Sequence, residues 1–445
     1  MERDLGQQGR MAAAAAEEEE PTVLESTSST SPAAVTCTAT ASPSPTAKPC
    51  KRRREDEEET RNAAGQQATT ALRSSEDDAA ADEAAVYEFY KNRGGVRGLV
   101  ESGVSFVPPL FLSPVAPVSS SAASFAAPRV DLSLPRAQAV ALVGAAARSC
   151  GIFQVTSHGV PSGAVDAALA AVSAFNELPF AARSPHYSPG AATGGTTYGT
   201  LPIPRPVGVT RATATTPLLC WRDSLIVRFD GGCAAGDDPG GIPAACRGAL
   251  LEFHRSMAML GRELAGLLLE GLGVEAGRLG QIQGCLMQCH YHPPCPEPER
   301  VLGSREHTDA DLFTVLAQDG VGGLQVRLDE GDGDDSEWMD VAPPVDGALL
   351  VNVGDLLKVL SNDEYKSVEH RVMSKSAQEP RVSIALFFNP AKHGDSDLFG
   401  PFPELVTAEK PAQYRSLTWM ELLNNRVEVG HAKPSSLDTF KVTSN

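Results

Sequence analysis

Two histidines and one aspartate carry the strongest chemical signal in this 445-residue chain. His307-Thr308-Asp309 is followed, after 60 intervening residues, by His370, and eleven residues beyond that histidine comes Arg381-Val382-Ser383. In a β-strand, residues two apart point the same way, so His307 and Asp309 are expected on one face of a strand. Two neutral imidazoles and one carboxylate are the ligand set of a mononuclear non-haem Fe(II) site that keeps coordination positions open. The same alternation puts Arg381 and Ser383 on one face of a strand over 381–388. There a planar guanidinium fork and a hydroxyl suit the far carboxylate of a small dicarboxylic co-substrate. An HxD pattern alone arises often by chance. Its conjunction with a distal histidine and an RxS triplet in a strand-rich half points to a metal oxygenase. His290 and His292 are rival ligands by residue type, but they precede Pro293-Pro294 and lack a carboxylate partner, so a co-substrate role is favoured for them. His158, in the turn Ser157-His158-Gly159-Val160-Pro161, has no carboxylate at metal spacing and is read as structural.

The elements that must position these residues follow from periodicity. From Gln283 to Pro390 the pattern is short strands broken by turns: 285–292, 313–317, 324–328, 349–353 and 381–388. Evenly spaced short strands around a His/Asp/His set predict an α+β fold with a double-stranded β-helix (jelly-roll) core. The preceding half predicts a short helix at 94–100 and an extended arm at 107–111. It continues with strands at 130–132, 151–156 and 221–227 and helices at 137–150 and 165–178. In the second of those helices' predecessor, 137–150, Val140, Leu142, Val143 and Ala146 are available for burial. A helix from Pro243 to about Leu272 carries Leu250, Phe253, Met257, Leu260, Leu264 and Leu267 at three- and four-residue spacing, one apolar stripe that should buttress the barrel. Pro243 suits its first turn, Gly271 and Gly273 its stop, and Met257 and Met259 are read as core filler. The Gly-, Thr- and Pro-rich run 188–217 suggests a long loop near a site mouth. The glycine-laced acidic stretch 329–337 lacks ordered calcium-ligand positions and reads as a solvated hairpin tip. Phe313, Phe387 and Phe388 are candidate apolar neighbours of the site, with core packing the favoured role for each.

Composition bounds the rest. A net charge of −18 argues against a nucleic-acid footprint. The nine cysteines are scattered and none has CxxC spacing, which predicts reduced thiols rather than a disulfide framework or a zinc ribbon. No apolar run approaches the roughly 18 residues of a membrane span. Residues 1–85 contain no Phe, Trp, Tyr or Ile and hold 17 acidic against 9 basic residues, a composition expected to remain disordered. Lys51-Arg52-Arg53-Arg54 resembles a nuclear address but runs directly into five acidic residues, so a solvated charge cluster and a cytoplasmic location are favoured. The organisation expected is a low-complexity tail (1–85), an N-terminal helical and strand region (86–275), a jelly-roll domain (276–395) and a C-terminal helical segment (396–445).

Taken together, the motifs resemble the plant 2-oxoglutarate and Fe(II)-dependent dioxygenases, particularly the branch of 1-aminocyclopropane-1-carboxylate oxidase homologues. The marks are Gly95-Val96-Arg97-Gly98-Leu99-Val100, Gly151 to Pro161, Trp221-Arg222-Asp223, His290 to Pro298, His307-Thr308-Asp309, Gly322-Gly323-Leu324-Gln325-Val326, Asn352-Val353-Gly354-Asp355, Ser361-Asn362, Glu369-His370-Arg371 and Arg381-Val382-Ser383, covering roughly 86–442. The resemblance implies iron held by His307, Asp309 and His370, and 2-oxoglutarate on the metal with its distal carboxylate on Arg381 and Ser383. It also implies ascorbate as reductant, and dioxygen and a small plant metabolite or hormone as substrates, with succinate and carbon dioxide released. Most relatives also contact 2-oxoglutarate through the second Tyr of a Tyr-Tyr-Pro-Pro motif; here that position is His292, in Tyr291-His292-Pro293-Pro294. An imidazole can donate a hydrogen bond but is shorter and titrates near neutrality. Three alternatives follow: an ethylene-forming oxidase of 1-aminocyclopropane-1-carboxylate, a jelly-roll binding protein impaired in catalysis, and a transcription-associated protein using the basic run in the tail, which the overall acidity opposes.

Overall fold

Alternation along 381–390 decides which side of the sheet does chemistry. Val382, Ile384, Leu386 and Phe388 enter the main hydrophobic core, while Arg381, Ser383, Ala385 and Phe387 take the opposite side. The computed structural model describes residues 84–113, 124–188, 195–200, 219–229, 238–280, 282–328, 337–390, 397–429 and 437–442. Expectations for the tail up to residue 83, for most of 188–217, and for 329–336 fall outside those residues.

The first half runs through a helix over 84–91 (α1), α2 (Gly95–Glu101), β1 (Ser124–Phe125), β2 (Arg129–Asp131), α3 (Arg136–Ser149), β3 (Ile152–Thr156) and α4 (Ser162–Asn176). After α5 (Phe180–Arg183) come β4 (Thr196–Thr200), β5 (Asp223–Arg228) and the 28-residue α6 (Ala244–Gly271). The second half holds β6 (Ile282–His292), β7 (Leu302–His307), β8 (Phe313–Gln318), β9 (Leu324–Arg327), β10 (Trp338–Val341) and β11 (Leu349–Val353). It closes with α7 (Asp355–Leu360), β12 (Glu369–Met373), β13 (Arg381–Pro390), an antiparallel pair of β14 (Leu398–Phe399) and β15 (Leu417–Thr418), and α8 (Trp419–Val429).

An eight-stranded sheet has the order β2-β3-β11-β8-β13-β6-β5-β4, and a five-stranded sheet the order β1-β10-β9-β12-β7. The larger sheet draws strands from both sides of residue 276. Between the sheets lies a small apolar cluster, with Ile152, Leu350 and Leu316 from the large sheet meeting Leu324, Val326 and Val372 from the small one. On the other face of the large sheet α4 and α6 pack against β6 and β13, burying Leu250, Phe253, Met257, Leu260, Leu264 and Leu267 as their spacing requires. This is the jelly-roll core with helical buttress that the strand pattern predicts. Among the described residues no helix is long and apolar enough to cross a membrane.

Several details differ from expectation. Pro243 is the N-cap of α6, one residue before its first turn. Met259 is 59% exposed whereas Met257 is fully buried, because residues two apart on a helix lie about 200° apart around its axis. Leu142 is also exposed, since α3 buries the stripe Ala139, Val143, Ala146 and Ala147 instead. Part of the expected loop after Ser188 is strand β4, edge-paired to β5.

One buried carboxylate explains two sequence marks at once. Asp223 Oδ1 and Oδ2 accept the backbone N–H groups of Val96 (3.0 Å) and Arg97 (2.8 Å), two of the otherwise orphaned donors at the start of α2. Thr200 Oγ1 donates to the same carboxylate at 2.6 Å. Gly95 has φ +64°, and a Cβ there would collide with the Asp223 carboxylate. The Gly-Val-Arg-Gly and Trp-Arg-Asp stretches are therefore two halves of one joint.

Candidate metal centre and carboxylate site

His370 on β12 lies directly opposite His307 on β7 in an antiparallel register, which brings the two rings to a centroid separation of 4.2 Å. Asp309 is not on a strand, contrary to the expectation that strand alternation aligns it with His307: β7 ends at His307 and Asp309 belongs to the turn before β8. That turn is held from below by the segment after β11. Asp355 N–H donates to Asp309 O (2.8 Å), Gly354 N–H to Leu312 O (2.9 Å), and Thr308 Oγ1 to Asp355 Oδ2 (2.9 Å). A Cβ on Gly354 would run into the Asp311 carbonyl oxygen, so only glycine permits this approach.

The result is a three-point donor set. His307 Nε2 and His370 Nε2 stand 3.7 and 3.8 Å from Asp309 Oδ1, and all three ligand atoms lie within 4.8 Å of one another. Each imidazole turns Nδ1 to a backbone carbonyl, Arg305 O at 2.7 Å and Val368 O at 3.2 Å. A carbonyl can only accept, so Nδ1 carries the proton and Nε2 presents its lone pair inward. Asp309 Oδ2 is occupied by Thr314 Oγ1 (2.6 Å) and Asn352 Nδ2 (2.5 Å), leaving Oδ1 for the cluster. Burial raises the Asp309 pKa, but the two histidines and these two donors outweigh it and hold the carboxyl below its usual range. Ligand atoms about 3–4 Å apart are what a first-row divalent ion with bonds near 2.1 Å requires. The donors fit Fe(II). Among the described residues this is the only such grouping, and His290 and His292 take no part in it.

Beside it a second group lines the inner face of the large sheet. Register places Ser224, His290, Ser383 and Gln318 in one row across β5, β6, β13 and β8, with His292 opposite Arg381 in the next. Arg381, 4% exposed, donates from Nε to Gly322 O (2.6 Å), from Nη1 to Ser383 Oγ (2.9 Å) and from Nη2 to Gln318 Oε1 (2.7 Å). Three of its five N–H bonds are thus used for orientation, leaving a fork of two. Since Ser383 Oγ accepts from Arg381, its own proton is available to a ligand. Burial pushes the Arg381 pKa down to about 10, so the guanidinium stays charged at neutral pH. The carbonyl of Gly322 is aimed by a turn in which Gly322 and Gly323 have φ +85° and +90°.

His292 is 3% exposed, and neither ring nitrogen has a hydrogen-bond partner. The room for its ring comes from Gly303, where a Cβ would sit 2.5 Å from His292 Cδ2. His290 is paired through Nδ1 to Ser224 Oγ at 2.9 Å. Burial first, then the charges of Arg381 and Arg222, push the His292 pKa well below the imidazole range, so it is neutral. Burial first, then the charges of Arg222, His292, Arg381 and His307, likewise hold the His290 pKa well below the imidazole range. His158 is structural as expected, its Nε2 meeting Gly347 O at 2.8 Å. Phe313 and Phe388 stack on each other in the core, whereas Phe387 is half-buried on the inner face. Sequence reasoning assigned no role to Thr314, Gln318, Ser224, Asn352 or Asp355. The 352–355 mark was the one available signal, and its meaning depends on what it packs against.

Comparisons with known proteins identify the family and the fold. The family model described as the 2OG-Fe(II) oxygenase superfamily matches residues 282–390, and that described as the non-haem dioxygenase in morphine synthesis N-terminal matches 127–228. The 1-aminocyclopropane-1-carboxylate oxidase homolog 1 of Arabidopsis thaliana is 34% identical over 349 residues, covering 75% of this chain and 89% of its own. A homolog from Solanum lycopersicum is 33% identical over 370 residues, covering 80% and 95%. The crystal structure of JOX2 in complex with 2OG, Fe and JA superposes with a TM-score of 0.63 at 27% identity, over 78% of this chain and 98% of that one. The rice dioxygenase for auxin oxidation gives 0.57 at 26% identity, over 71% and 100%.

Proposed function

The chain belongs to the 2OG-Fe(II) oxygenase superfamily, and on that premise we propose that His307, Asp309 and His370 hold its iron while Arg381 and Ser383 seat the distal carboxylate of 2-oxoglutarate. As a member it is a 2-oxoglutarate-dependent dioxygenase using Fe(II) and 2-oxoglutarate, with ascorbate the usual reductant in the family. The carrying observation is the shared orientation of the three ligand atoms, each fixed by a hydrogen bond on its far side. His292 completes the co-substrate site by donating from its neutral ring to the same carboxylate, in the position where relatives carry Tyr. The substrate is a small plant metabolite or hormone, and the reaction an oxidation of it.

When bound, the iron supplies the oxidising chemistry through dioxygen and 2-oxoglutarate. The protein's own residues do the rest. Asn352 and Thr314 hold one carboxylate oxygen of Asp309 so that the other faces the metal. The backbone carbonyls of Arg305 and Val368 fix both imidazole tautomers. Gln318 and Gly322 aim Arg381, whose charge draws the dicarboxylate into the interior. Leu316, Leu324 and Val326 form a dry wall between the sheets.

The test is succinate release by purified protein with Fe(II), ascorbate, 2-oxoglutarate and a plant-metabolite extract, alongside iron content, for wild type and His307→Ala. Extract-stimulated succinate and stoichiometric iron, both lost in the variant, are expected. Unchanged iron content in His307→Ala would refute the ligand assignment, and ethylene from 1-aminocyclopropane-1-carboxylate would refute the proposed substrate class.

A further inference from the structure

Arg222 is a half-buried charge that none of these roles uses. It stands between two residues that the core locks in place. Trp221 is fully buried, with its N–H bonded to Leu302 O (2.9 Å) and its Nε1 to Pro293 O (3.1 Å), and Asp223 is fully buried as the cap of α2. With both neighbours turned to the core, Arg222 is left to the inner side, the side on which Ser224 meets His290. It is the leading charged influence on His290 and also acts on His292 and Arg381. Its Nε is enclosed and has no hydrogen-bond partner, and no ion pair to its guanidinium occurs among the described residues.

The surroundings make this unusual. The groups acting on Arg222 are the Cys220 thiol and a second cation, Arg305, while His290 and His292 beside it are neutral. The carboxylates of the metal group and of the Arg381 group are engaged elsewhere. Asp309 faces the two metal-site histidines, and Asp319 accepts the backbone N–H groups of Val321 and Val382. A half-buried guanidinium whose Nε is enclosed and unpartnered is left short of an acceptor until a ligand supplies one. A planar donor fork fits a carboxylate.

Two carboxylates of different origin enter such a site, those of 2-oxoglutarate and one on the primary substrate. On the reading above, 2-oxoglutarate is already matched at both ends, by Arg381 with Ser383 and by the metal. We infer that Arg222 is a specificity residue that receives the carboxylate of an acidic primary substrate. This inference rests on the proposed function, and it narrows the substrate to small organic acids in their ionised form.

The test uses protein loaded with Fe(II) and 2-oxoglutarate under argon, titrated with indole-3-acetate and phenylacetate and with the amide of each. Affinities are measured for wild type, Arg222→Gln and Arg222→Lys. Wild type is expected to bind the acids at least tenfold more tightly than the amides. Arg222→Gln should abolish that preference, and Arg222→Lys, which keeps the charge but not the fork, should retain part of it. Equal affinity of acids and amides for wild type, or no binding of either acid at millimolar concentration, would overturn the inference. So would a loss of 2-oxoglutarate affinity in Arg222→Gln as large as the loss for the acids, which would assign the residue to the co-substrate. The preceding 2-oxoglutarate titration of wild type tests the parent reading separately, since its failure is seen before any acid is added.

Discussion

Replacing His292 by Leu should move stability and co-substrate affinity in opposite directions. In the unliganded protein both ring nitrogens are buried without partners. Such a group costs about 1–3 kcal/mol in desolvation, and an apolar side chain of similar size removes that cost. At roughly 2 °C per kcal/mol for a domain of this size, the Leu variant should melt roughly 2–6 °C above wild type in the absence of 2-oxoglutarate. The lost N–H donor to a carboxylate is worth about 1.5–3 kcal/mol, which weakens co-substrate binding by about 10- to 100-fold. Linkage joins the two effects. At a 2-oxoglutarate concentration one hundred times the wild-type Kd, wild type gains about 2.7 kcal/mol; a variant with about 30-fold weaker binding gains about 0.9 kcal/mol. Thermal unfolding of Fe(II)-loaded protein under argon, with and without 2-oxoglutarate, reads both. A Leu variant that melts lower than wild type without ligand, yet gains as much from 2-oxoglutarate, would refute the reasoning.

Three further outcomes follow from the same geometry. Asn352→Ala removes a hydrogen bond to Asp309 Oδ2 and should weaken metal affinity by about 10- to 100-fold, measured by competition with a chelator while the apo fold is unchanged by circular dichroism. Asp223→Asn leaves one of the paired N–H groups of Val96 and Arg97 facing an amide nitrogen, and should cost about 1–3 kcal/mol in denaturant unfolding; an unchanged midpoint would remove Asp223 as the joint of α2. His290 and His292 stay neutral when folded but take up protons near the ordinary 6.5 when unfolded, so the unfolded state binds more protons below that pH. Stability is therefore full above about 6.5 and falls as pH drops below it, by up to about 1.4 kcal/mol per pH unit for each ring. The double variant His290→Asn, His292→Tyr should flatten that slope in a pH series of unfolding curves.

Much of the site was legible because strand alternation is a local rule. It assigned Arg381 and Ser383 to one face, and helical spacing, equally local, put the stripe from Leu250 to Leu267 on one side of a helix, without reference to any partner. Residue type alone named the candidate metal ligands, since few combinations of imidazole and carboxylate make sense in a strand-rich region. Strand alternation gave the wrong setting for Asp309, and the core-filler reading of Met259 neglected the helical spacing that turns it about 200° away from Met257. Asp309 is delivered by a turn resting on 352–355, and which face of α6 is buried depends on where the sheet lies. That His370 faces His307 is a matter of register between strands separated by more than sixty residues, which no short-range pattern encodes. The tertiary structure also decided which polar groups find partners. Arg381 donates to three acceptors while the Arg222 Nε and the His292 ring nitrogens lack a partner, and that difference exists only once the strands are paired. The sequence determined what chemistry the residues can do; packing decided which of them are held in place and which are left for a ligand.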